Sequence, residues 1–170
     1  MKRLIFLSLL IIFGLTACYN KEFNEPGKLE VDGRATERNI RVGYDKTWAA
    51  VQSILSRFPI NRRDSDDVSS RAFVVTDWVQ GKSDILYHGF DDNRVPYSIR
   101  YRLTVYVMGG SMGTKVQIKN IEQYRDDAIT AGTDIDGSLY TWIRTESSTL
   151  KEARLLDEIE KLAMDPKFQP

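Results

Sequence analysis

Apolar and polar positions divide this chain into stretches with different periods. Residues 4–15 are almost unbroken apolar sequence, interrupted only by Ser8 and Gly14. Residues 19–43 are polar, contain Pro26, Gly27 and Gly33, and hold no sustained period. Such a segment cannot bury enough surface to offset the entropy of ordering it. Residues 44–58 then place Trp48, Val51, Leu55 and Phe58 at spacings of three and four, the stripe of an amphipathic helix. Asp45 is its expected N-cap and Pro59 its stop.

Period two follows. A short entry strand is expected at 39–42, and further strands at 60–63, 71–79, 97–108 and 114–124. The first of these four ends in the acidic turn Asp64-Ser65-Asp66-Asp67. Within 71–79, Val74, Thr76 and Trp78 share one face, and Phe73, Val75 and Asp77 the other. Within 97–108, Ile99, Tyr101, Leu103, Val105 and Val107 alternate with Ser98, Arg100, Arg102, Thr104 and Tyr106. That is an antiparallel strand with one buried and one wet face. Gly109-Gly110-Ser111-Met112-Gly113 turns the chain, and Val116 and Ile118 continue the inward row. Ile121 breaks the alternation and predicts a bulge or bend near Asn120. Residues 81–96 read as a loop that holds Ile85, Leu86, Tyr87 and Phe90, and 126–138 as another. Helical spacing returns over 147–164. Leu150, Ala153, Leu156, Ile159 and Leu162 or Ala163 line one side; Glu152, Arg154, Glu158 and Lys161 line the other.

The expected fold class is α+β: an antiparallel β-sheet of about four to five strands, with an N-terminal and a C-terminal helix packed on one face, helix-grip-like. The chain divides into a leader at 1–17, a tether at 18–43, a single domain at 44–164 and a polar tail at 165–170. About 150 residues beyond the leader suit one domain that needs no disulfide staples.

The ends of the apolar run change the picture. Met1-Lys2-Arg3 precedes it, and Leu15-Thr16-Ala17-Cys18 closes it. A basic start, a short apolar core and a small-residue exit are the parts of a secretory signal peptide, and the run falls short of the roughly 20 residues that cross a bilayer. Leu-Thr-Ala-Cys resembles the bacterial lipobox. By that resemblance Cys18, the only cysteine, becomes the first residue of the mature chain and carries the lipid. Each buried methylene of such chains contributes about 0.8 kcal/mol to membrane binding. Tyr19, in place of aspartate, resembles the signal that permits transport to the outer membrane.

Charge and chemistry narrow the function. Lys plus Arg and Asp plus Glu both number 24, which argues against a nucleic-acid partner. There is one histidine, His88, in an expected loop and read as a surface group. No cofactor is expected, and no thiol or second histidine accompanies it for a zinc site. Gly109-Gly110-Ser111-Met112-Gly113 matches Gly-x-Ser-x-Gly, but a nucleophile elbow needs that pentad between a parallel strand and a helix. The clusters Asp64, Asp66, Asp67 and Asp91, Asp92 lack the alternating ligand spacing of a calcium loop, and Asp134-Ile135-Asp136-Gly137-Ser138 looks like part of such a loop but is only a fragment. Arg100, Arg102 and Tyr106 on the wet face of the clearest strand form a mixed patch suited to partner contact.

The stretch 44–124 resembles the BamC (NlpB/DapX) lipoproteins of outer-membrane protein assembly. The resemblance rests on Tyr44-Asp45-Lys46-Thr47-Trp48 opening a helix, Val74-Val75-Thr76-Asp77-Trp78-Val79 as a strand, and the long strand from Tyr97-Ser98-Ile99-Arg100-Tyr101-Arg102-Leu103. It implies a helix-grip domain, a lipid anchor and a non-catalytic accessory role beside other envelope proteins, at the periplasmic face of the outer membrane. Family members carry two such domains and a longer N-terminal extended segment; this chain has room for one domain. The alternative is a carrier of an apolar ligand, held in a cavity between the sheet and the C-terminal helix and lined by the row from Ile99 to Val107.

Overall fold

The computed structural model describes residues 35–89, 93–126 and 141–169. The leader, Cys18, Tyr19, most of the tether, Asp91, Asp92 and the fragment 134–138 lie outside the described residues. Along the chain run β1 (Glu37–Ile40), α1 (Tyr44–Leu55), β2 (Ile60–Asp66), β3 (Arg71–Thr76), β4 (Val79–His88), β5 (Val95–Gly110), β6 (Gly113–Asp126), β7 (Thr141–Thr145) and α2 (Leu150–Met164). The class is α+β, and every strand pair is antiparallel.

Among the described residues the sheet has seven strands, more than the sequence predicts. Its centre is the β5–β6 hairpin, paired without a register shift from Ile99↔Tyr124 to Gly110↔Gly113. β5 has 16 residues and β6 has 14, and no other strand among the described residues exceeds 10. Each long strand therefore serves two shorter partners in succession. β5 pairs with β4 along its first half and with β3 along its second. β6 pairs with β1 along its first half and with β7 along its second.

Partner switches expose backbone donors, and the sequence answers the first one with a side chain. β3 pairs up to Val75↔Thr104, and β4 begins at Val79↔Tyr101. Between them the Leu103 N–H donates to Thr76 Oγ1 at 3.0 Å, so this buried donor is not left unpaired. On β6 the Ile118 N–H donates to the Thr36 carbonyl at 2.8 Å, and β7 pairs only from Glu122 onward. Lys119, Asn120 and Ile121 thus face no strand on that side among the described residues.

Both helices pack on one face of the sheet. Leu103, Val105, Val107, Val116 and Ile118 meet Trp48, Val51 and Leu55 of α1 and Leu155, Leu156, Ile159 and Ala163 of α2 in a single buried cluster. Each such Val, Leu or Ile side chain contributes roughly 1.5–3 kcal/mol by leaving water. Arg38 of β1 ties the sheet to α2, donating to Asp157 at 2.6 Å and Glu160 at 2.8 Å. Arg57, just past the end of α1, pairs with Glu158 of α2 at 2.6 Å.

Several expectations are corrected. The segment 81–96 is not a loop, because most of it is β4 and the start of β5; Gly81, Ser83 and Asp84 interrupt its alternation and hide the strand. The bulge expected near Asn120 is absent from β6, where Asn120 and Glu122 hold the inward positions opposite Leu103 and Tyr101. Irregular register falls instead between Lys82 and Tyr87 and between Ile60 and Arg62. β3 stops at Thr76, so Trp78 does not share the face of Val74. The acidic segment extends β2 to Asp66, whose carboxylate accepts from the N–H groups of Val68 and Ser69 in the following turn. β1 begins and ends earlier than the entry strand expected at 39–42. Gly43, not Asp45, is the N-cap of α1, and α1 ends at Leu55, ahead of Pro59. Helix α2 starts at Leu150, since Ser147 and Ser148 hydroxyls bond the N–H groups of Thr149 and Leu150. Glu152, expected on its wet side, is buried. No helix among the described residues is long and apolar enough to cross a membrane.

Gly113 closes the central hairpin at φ +133°, and a Cβ there would stand 2.3 Å from the Ile40 carbonyl oxygen. Gly43 has φ −62° and open space around a Cβ. Gly113→Ala is expected to destabilise the fold by about 2–3 kcal/mol, and Gly43→Ala to stay within about 0.5 kcal/mol of the parent. Urea unfolding of the two variants checks both values.

Candidate interaction face

Alternation on β5 sends Arg100, Arg102, Thr104 and Tyr106 to the side of the sheet opposite the helices. The structure thus places the three expected contact residues on one face, and it adds two tryptophans the sequence reading did not assign there. Trp78 arrives from the break between β3 and β4. Trp142 arrives from β7, at an outward position beside Arg125. Arg100 Cζ lies 4.6 Å from the ring centroid of each, and its Nε–H donates to Gln123 Oε1 at 2.6 Å. Arg102 Cζ lies 4.6 Å from the same Trp78 ring, and its guanidinium meets Asp77 at 3.7 Å. Arg102 Nε is buried without an acceptor.

A second aromatic row lies beside the first. Tyr106 packs on Phe73 with centroids 6.3 Å apart. Lys119 Nζ stands 5.3 Å over Tyr106, and Arg62 Cζ 5.1 Å over Phe73. Cation–π contacts contribute about 0.5–1 kcal/mol each when exposed and more when desolvated. Their larger effect here is to fix long basic side chains in one orientation. Beside the row, a groove of about 530 Å³ has Thr104, Tyr106, Lys119, Asn120, Ile121, Arg144 and Glu152 in its lining. It opens where β6 lacks a strand neighbour.

On the helix side a charged cluster sits at the N-terminus of α2. Lys151 Nζ lies 2.5 Å from Asp84 Oδ2 and 3.3 Å from Glu122 Oε1. The irregular segment of β4 delivers Asp84 to it. Asn120 Nδ2 donates to Glu122 at 2.8 Å and to Ser147 Oγ at 3.1 Å, and Ser147 donates to Glu152 at 3.0 Å. Burial pushes the Glu122 carboxyl above its usual range, against the pull of Lys151 and Asn120. Burial also works against the Lys151 ammonium, but its bonds to Asp84 and Glu122 outweigh that and raise its pKa.

The remaining sequence candidates fall elsewhere. His88 is exposed at the end of β4, edge-on to Tyr97 at 4.9 Å. Ser111 is exposed at the tip of the β5–β6 hairpin, between antiparallel strands. Among the described residues no cluster of His, Cys, Asp and Glu is placed to hold a metal ion. The inward row Ile99, Leu103, Val105 and Val107 is buried to 1% exposure or less. The alternation Thr141-Trp142-Ile143-Arg144-Thr145 was the signal that could have placed Trp142. A scan of protein-family models finds no match to this chain, and neither does a search of curated proteins.

Lys151→Met leaves Glu122 buried without its cation and is expected to cost about 2–3 kcal/mol, discounted from a full buried pair because Lys151 and Asp84 keep partial exposure. Glu122 titrates higher in the folded chain than unfolded, so the folded state takes its proton first. The penalty of the bare carboxylate is therefore relieved as pH falls through the folded pKa. Without Lys151 that pKa moves further up. Thermal melts should show Lys151→Met gaining stability, relative to Lys151→Met/Glu122→Gln, as pH falls from neutrality through the raised folded pKa of Glu122. Parallel profiles for the two would refute the assignment.

Proposed function

We propose that this chain is a lipid-anchored envelope lipoprotein that serves as a non-catalytic interaction subunit, with its domain held on the periplasmic side of the outer membrane. The observation that carries the interaction reading is the stack of Arg100 with Trp78 and Trp142 on the sheet face away from the helices. Arg, Trp and Tyr are the residues most enriched at the centres of protein interfaces. Here they are held in place before any partner arrives, which lowers the ordering cost of binding. The lipobox-like Leu15-Thr16-Ala17-Cys18 supports the anchor. The two helices on one face of an antiparallel sheet are compatible with a helix-grip-like domain, and with the resemblance to accessory lipoproteins of outer-membrane protein assembly. The carrier alternative draws less support, since Leu103, Val105 and Val107 of that row pack against the helices in the buried cluster.

Two measurements test the proposal. Cys18→Ser should leave the leader uncleaved and move the chain out of the outer-membrane fraction; unchanged processing and sedimentation would end the lipoprotein reading. A photocrosslinker at Thr104 should capture envelope proteins in intact cells, and one at Arg154 on the exposed side of α2 should not. Capture at Arg154 alone would place the contact surface elsewhere.

A further inference from the structure

The outer face holds more positive charge than its own carboxylates balance. Asp77, Asp64 and Glu37 reach Arg102, Arg62 and Lys115. Arg100, Lys119 and Arg144 have no carboxylate in ion-pair reach among the described residues, although the whole chain is formally neutral. The imbalance is sharpest at Trp78, where two guanidiniums share one ring and only that of Arg102 meets a carboxylate, Asp77, at a loose 3.7 Å. Arg100 has its Cζ over both indole rings and spends its Nε–H on Gln123, so recognition falls to the edge that carries its Nη groups. That edge matches the two oxygens of a carboxylate.

Resting on the interaction reading above, we propose that this face binds an acidic, extended segment of a partner protein. One carboxylate bridges Arg100 and Arg102. Acidic side chains further along meet Lys119 and Arg144 where the groove crosses β6. The patch from β4 across to β7 measures about 500 Å² by strand spacing and rise. A globular partner of standard size covers about 800 Å² on each side, whereas a single extended strand fits within the patch. A lipid surface fits less well. Membrane-binding faces present protruding apolar side chains, and here the indoles lie against guanidiniums.

The test uses the full chain in detergent and a labelled peptide of about twelve residues alternating Glu and Ser, long enough to span the patch, with a Gln–Ser peptide as its neutral counterpart. Fluorescence anisotropy should show binding of the acidic peptide only. Arg100→Gln should weaken it about tenfold. Lys119→Gln and Arg144→Gln alter exposed positions without touching the Arg–Trp contacts at Trp78 and Trp142, and each should weaken it by about threefold or more. Arg154→Gln on α2 should leave it unchanged. Equal binding of both peptides, or equal weakening by Arg154→Gln, overturns the proposal. So does phosphatidylglycerol vesicle binding that depends on Arg100 while the acidic peptide fails to bind. If Thr104 still crosslinks to envelope proteins in cells when the peptide does not bind, only the acidic-segment inference falls and the interaction reading stands.

Discussion

The unbroken register of the β5–β6 hairpin governs the rest of the molecule. Its two strands are longer than any neighbour, so neither edge can be covered by one partner. Each edge is shared, and each sharing leaves a seam. At the seam between β3 and β4 the chain breaks at Asp77 and Trp78, and the Thr76 hydroxyl takes over the bond that a strand would have supplied. At the seam between β1 and β7 the groove opens beside Lys119 and Ile121. The features that make one face of this sheet chemically distinctive thus sit where pairing is interrupted. A strand that continued past Thr76 in register would have sent Trp78 inward with Val74 and left Arg100 and Arg102 without their ring.

The same hairpin explains why charge is tolerated inside. Position 122 must point toward the helices because Ile118 and Val116 do, and the register admits no slip between them. A glutamate there faces a severe desolvation penalty unless it is paired. Lys151, Asn120 and, through Lys151, Asp84 supply the partners. An apolar residue would avoid the penalty altogether. What the ionic arrangement adds is geometry: it links β4, β6 and the first turn of α2 at one point, and so fixes where the C-terminal helix begins.

Much of this architecture is legible in the sequence. The helical stripe around Trp48, Val51 and Leu55 and the alternation from Ile99 to Val107 each report a strong, local physical demand: one face must leave water. Arg100, Arg102 and Tyr106 follow directly as the wet side of that alternation. The reading fails where burial is not the signal. β4 contains Gly81, Ser83 and Asp84 because part of its length leaves the ladder to reach Lys151, so no period survives. Glu152 looks solvent-facing by type, yet it is buried by its bond to Ser147. Trp78 is misplaced because a one-dimensional period cannot register a break in a strand. The joining of Trp142 to Arg100 is long-range, and no local pattern encodes it.

The two faces of the sheet solve different problems with the same alternation. The helix side is closed by apolar packing, which is nondirectional and tolerant of sequence. The outer side uses planar groups stacked in series, where position and orientation matter more than buried area. Stacking an arginine on indole fixes its plane but satisfies none of its Nη–H donors, so the arrangement is oriented while part of its hydrogen-bonding capacity stays open. A side chain needed only for solubility gains nothing from being held this way, since free rotation in water satisfies the same donors at lower entropic cost. Ordered cations with donors still available are the state expected of a surface shaped to receive an anion. A tether to the membrane would complement such a face, because confinement near partners raises their effective concentration and relieves a modest patch of the need for high intrinsic affinity.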